Sequence, residues 1–183
     1  MNDDQVIHST QVWLNKAVIG LNLCPFAKAV VVKNQVRYVV CRDSDPERVL
    51  QMLQAELQHL ANADPETLDT TLLIAPALWP EFLDFNEFLF DCDAVLQSLD
   101  LEGVLQIADF HPRYQFAGVD PDDISNFTNR APYPTLHLLR EDSIDKAVAV
   151  FPDAANIYEK NILTLRAIGH PGWAALKLPK AVE

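Results

Sequence analysis

Thr70-Thr71-Leu72-Leu73-Ile74-Ala75, closed by Pro76, is the stretch whose reading decides the fold. It is apolar and β-branched with no polar alternation, too short for a helix, and stopped by a residue that cannot extend a ladder. That pattern fits a strand covered on both faces, as in a sheet with helices packed against it. Upstream, Ser44-Asp45-Pro46-Glu47 reads as a capping box with proline in the first turn. The helix it opens buries Val49, Leu50, Leu53, Leu57 and Leu60. Val36–Cys41 reads as a strand, with the apolar residues from Val30 a candidate hairpin partner before it. From Asp4 to about Gly20, Val6, Thr10, Trp13, Leu14, Ala17 and Val18 fall on one helical stripe, which Pro25 keeps from continuing.

Downstream, Pro80 opens a second long helix in which Phe82, Phe85, Leu89, Cys92, Leu96 and Leu99 recur at helical spacing. Asp84, Glu87 and Asp91 line its wet side. A strand Val104–Asp109, a long loop and a last strand Thr135–Arg140 follow. Asp142-Ser143 caps a helix carrying Ile144, Ala147 and Val148; Pro152-Asp153 interrupts it. Another helix runs to about Ile168, where Gly169-His170-Pro171-Gly172 stops it and leaves Trp173 to dock the tail. Strands alternating with helices predict an α/β single-domain sandwich over residues 1–183, with right-handed crossovers linking the first three strands. Its sheet would be mixed or mostly parallel, of four to five strands, ferredoxin-like or three-layer.

A net charge of −12 repels phosphate backbones and anionic headgroups, and basic residues form no run. We therefore expect neither nucleic acid nor membrane as a partner. The acidic, polar start of the chain cannot act as the positive region of a signal peptide, so a cytoplasmic location is expected. Cys24, Cys41 and Cys92 form no C-x-x-C pair and read as reduced thiols. No metal-ligand spacing appears, and five glycines leave no phosphate-cradling turn, so no cofactor is named.

The long connection from Phe110 to Glu141 is where function is expected, because ordered loops of this length are uncommon without it. His111, at the carboxyl end of the Val104–Asp109 strand, is a candidate general acid/base; the rival reading is a hydrogen-bonded loop anchor. Asp120-Pro121-Asp122-Asp123 reads as a helix start. On that helix Asn126, Asn129 and Arg130 would share a polar face suited to an anionic group, with Arg140 assisting. His137 is a further candidate for substrate binding, against the reading of a satisfied core histidine. Cys24, near Lys28, is a candidate nucleophile, against that of a buried structural thiol.

Ile19-Gly20-Leu21-Asn22-Leu23-Cys24-Pro25-Phe26, Phe110-His111-Pro112-Arg113-Tyr114-Gln115-Phe116-Ala117-Gly118, Thr128-Asn129-Arg130-Ala131-Pro132-Tyr133-Pro134 and His137-Leu138-Leu139-Arg140-Glu141 give the chain its likeness. With these motifs in this order it resembles an uncharacterised bacterial family, domain of unknown function 1415, over nearly its whole length. The resemblance implies a stand-alone bacterial cytosolic domain and carries no residue role. It also gives Asp109 and Val119 less weight in a catalytic scheme, small hydroxyl residues being common there in the family. The leading expectation is a small-molecule enzyme that binds a small anionic ligand at the 110–141 loop. The alternative is a non-catalytic binding or protein-interaction domain using the same loop.

Overall fold

The computed structural model describes residues 2–150 and 156–179. Asn2 caps α1 (Asp3–Trp13) through a reciprocal pair with Gln5, and the chain runs on as a π-helical segment, Leu14–Ile19. All six stripe residues from Val6 to Val18 are buried. Ala27–Val32 forms a short helix, α2, where a hairpin partner was expected. Valine's strand preference depends on context, and here no residue of the segment is fully buried. Val31 packs at the edge of the cluster around Trp13 and Leu14, a contact the helix makes without a strand partner. β1 (Val36–Val40) leads to α3 (Pro46–Asn62), capped by Asp45 rather than Ser44: the Asp45 carboxylate accepts from Glu47 N.

β2 (Thr70–Ile74) is buried at every residue, its two threonines included, as a strand covered on both faces must be. α4 (Phe82–Ser98) buries Phe85, Phe88, Cys92 and Leu96, and β3 spans Leu105–Phe110. β4 (Thr135–Arg140) keeps its expected bounds, and α5 (Glu141–Val150) starts directly from its end. Ser143 does not cap α5; its hydroxyl donates to Asp69 Oδ1 at 2.5 Å. Pro152-Asp153 lies outside the described residues. In α6 (Ile157–Ala175) the Gly169-Pro171 signal kinks the helix instead of stopping it. Gly169 takes φ 58°, a conformation open to glycine, and Pro171 falls in the first turn of the resumed helix, where a missing N–H is harmless.

The sheet order is β1-β2-β4-β3. β1 and β2 are parallel, while β4 runs antiparallel between β2 and β3, so the sheet is mixed. One face carries Leu73, Leu105, Leu136 and Leu138 against Leu53, Leu57, Leu60, Phe85 and Cys92 of α3 and α4. The other meets the N-terminal helices: Val6 packs on Leu72 and Ile74, and Trp13 meets Phe110. Helices on both faces make this α/β fold three-layered rather than ferredoxin-like. Among the described residues no helix is long and apolar enough to cross a membrane.

Candidate functional site

The 110–141 loop is fastened by the residues expected to work in it. His111 is 1% exposed, stacked on Phe85 with ring centroids 5.4 Å apart. Its Nε2–H donates to Trp79 O at 2.8 Å, and its Nδ1 accepts from Arg113 N at 2.9 Å. Burial holds its pKa below the ordinary histidine value, so the neutral ring joins the loop to the start of α4. Both nitrogens are occupied by the main chain.

The polar helix face does not form. Only a 3-10 turn, Ile124–Thr128, follows Asp123, whose carboxylate accepts from Ser125 N and so takes the capping role expected of Asp120. Asn126, wholly buried, accepts from Phe116 N and donates to Asp120 O. Arg130 lies over the Phe127 ring and donates Nε–H to Tyr114 O and Nη2–H to Pro121 O. Its fork edge therefore meets carbonyls. Arg140 does the same elsewhere: its guanidinium donates to the oxygens of Leu60, Ala63 and Leu68, closing the C-terminal end of α3.

The remaining candidates meet on the opposite face of the sheet. A cavity of about 380 Å³ lies between the strands and the helical layer made by α1, the π-helical segment, α2 and α5. His137, Asn129 and Cys24 all line it, as does the edge of Arg140. Strand alternation explains this: Leu136 and Leu138 face α3 and α4, so His137 and Leu139 face the cavity. Directly opposite His137 stands Ala108, whose methyl leaves open space where a larger side chain would fill it.

His137 is half-buried, its ring centroid lies 6.0 Å from that of Phe110, and among the described residues it makes no hydrogen bond. Burial lowers its pKa to about 4, so the ring is neutral at pH 7. Asn129 donates Nδ2–H to Asp109 O, which ties the loop's return to the end of β3. Burial raises the Cys24 pKa, outweighing the backbone N–H groups of Phe26 and Ala27 that favour thiolate, so the thiol stays protonated. No group of three or more His, Cys, Asp and Glu side chains among the described residues is placed to hold a metal.

Gln106 was missed. It lines the cavity one strand from His137, and among the described residues its amide has no hydrogen-bond partner. In sequence it reads as a solvent-facing position between Leu105 and Ile107; only the register of β3 on β4 turns it inward. The hydroxyl of Thr128, another lining residue, is buried without a hydrogen-bond partner among the described residues.

No curated protein and no solved structure matches the chain. The family described as Protein of unknown function (DUF1415) matches residues 5–175, and the chain belongs to it.

Proposed function

We propose that this protein binds a small, mostly apolar molecule in the cavity between the sheet and its N-terminal helices. The observation that carries this reading is His137: a half-buried, neutral imidazole lining a void with no hydrogen-bond partner among the described residues. A ligand group that pairs with this ring gains a hydrogen bond worth about 0.5–1.5 kcal/mol net. The cavity is within the size range of small-molecule sites, and its walls are mainly aliphatic and aromatic.

The reading of the loop as the anion site of an enzyme needs free guanidinium forks. Arg130 and Arg140 instead direct theirs at main-chain carbonyls. A thiolate at Cys24 would need a cationic neighbour, and none is among the causes of its shift. Binding without chemistry therefore leads, and it moves from the loop to the cavity.

Benzene is the direct test, since cavities with mainly apolar walls take it up. Millimolar benzene should raise the melting temperature and shift the His137 ring signals in NMR spectra. Ala108→Leu, which fills the space opposite His137, should abolish both responses. Unchanged His137 signals in the wild-type chain would sink the reading.

A further inference from the structure

We infer that the occupant of the cavity is an uncharged aromatic molecule bearing one hydroxyl, a phenol in chemical class, held by His137 and Gln106. The inference rests on the cavity reading above and adds what the polar groups select. Ala108 stands opposite His137 and Leu139 opposite Gln106, so His137 and Gln106 are diagonal neighbours on one face. Such positions lie roughly 7–8 Å apart, close enough for two long side chains to converge on one atom. A neutral imidazole has one donor and one acceptor nitrogen, and the amide offers both kinds of group. A hydroxyl is the smallest group that donates to one and accepts from the other.

The opposite diagonal neighbour of His137 is Phe110, whose ring meets Trp13 edge-on with centroids 5.1 Å apart. A ring laid over the Ala108 methyl therefore meets an aromatic wall on one side and the two polar side chains on the other. Charge is selected against. The charged lining side chains are Arg140, engaged by three carbonyls, and Asp69, which accepts from Ser143. An anion entering this space would find no free counter-charge. Protonating His137 to supply one runs against about a thousandfold bias at pH 7.

NMR titration of the full chain with 4-methylphenol, toluene and 4-methylbenzoate at pH 7.5 tests the inference. 4-Methylphenol should bind about tenfold more tightly than toluene, the worth of one net hydrogen bond. 4-Methylbenzoate should bind more weakly than either. The preference for 4-methylphenol should fall to within twofold in His137→Leu. Gln106→Leu repeats the test at a second half-buried position, and the His137 ring nitrogen shift in the wild-type chain reads the contact without a substitution. Toluene and 4-methylphenol binding equally would overturn the hydroxyl while leaving the cavity reading in place. Tighter binding of 4-methylbenzoate would overturn the absence of charge. Failure of all three to bind would overturn the cavity reading itself.

Discussion

Leu136 and Leu138 reach from β4 into the packed layer of α3 and α4, while His137 and Leu139, alternating with them, border a void. The same alternation runs along β3, where Leu105 and Ile107 share the packed face and Gln106 and Ala108 the hollow one. One strand thus serves two different tasks at a period of two. The packed face holds the domain together, and the hollow face is kept open by the small Ala108 and by the bulky residues that roof it. Sites are built where packing is left incomplete, because a filled face has nothing to offer a ligand.

The largest expected effect breaks this comparison directly. Leu138→Ala should cost about 3–4 kcal/mol, because Leu138 is fully buried in an interior that cannot collapse around the gap. Leu139→Ala, one residue along, removes the same atoms from the edge of an existing void and should cost about 1 kcal/mol. Denaturant unfolding of the two variants measures the difference. Equal losses would mean that the hollow face is packed in solution.

The second effect is a pH dependence of about 3 kcal/mol centred on His137. The unfolded chain takes up a proton near the ordinary value of 6.5, while the folded ring resists until about pH 4. Stability is therefore present above pH 6.5 and drains as pH falls to 4, at about 1.4 kcal/mol per tenfold in proton affinity. His111, also held low by burial, acts in the same direction, so the test compares variants. Unfolding free energies at pH 7.5, 5.5 and 4.5 should fall less steeply in His137→Leu than in the parent. Parallel slopes would show that the ring is already solvated.

Much of the frame was legible because local pattern and tertiary burial agree there. β2 carries no charged or amide side chain, only two small threonines, and β4 and the apolar stripe of the first helix follow from spacing alone. The site was legible only in parts. His137, Cys24 and Asn129 were identified as candidates, and the fold brings them together around one cavity. His111 and Arg130 were grouped with them because they share a loop, yet His111 stacks in the α4 layer on the far side of the sheet. What separates them is that the chain alternates faces as it leaves β3, Phe110 toward the cavity and His111 toward α4. What covers each face depends on non-local pairing, with β4 inserted between β2 and β3. Gln106 escaped for the same reason: a lone polar residue in a strand marks a face, and the register decides what that face meets.

A third effect comes from a defect in the packed face. Asp109 follows Leu105 and Ile107 in phase, and its Oδ2 is buried without a hydrogen-bond partner among the described residues. Burial raises its pKa to about 6, whereas the unfolded residue ionises near 3.8. This carboxyl has the opposite sign to His137: its contribution is intact below pH 4 and is lost as pH rises through 6. Asp109→Asn should therefore stabilise the domain by up to about 3 kcal/mol at pH 7.5 and by little at pH 4, measured by unfolding at both. A gain of the same size at both pH values would assign the effect to something other than ionisation.

The smallest effect sharpens the comparison at a site that does not titrate. Thr71 lies on β2 beside Leu138, fully buried, and its hydroxyl has no hydrogen-bond partner among the described residues. On a packed face such a group carries a desolvation cost with no return, and no cavity water can reach it. Valine has nearly the same shape and keeps the β-branch that suits a central strand. Thr71→Val should raise stability by about 1 kcal/mol with no change in benzene uptake, since the substitution lies across the sheet from the cavity. The paired measurement is melting temperature with and without benzene. A variant that gains stability but loses its response to benzene would show that the two faces are coupled through β2, and the separation drawn between packed and hollow sides would fail.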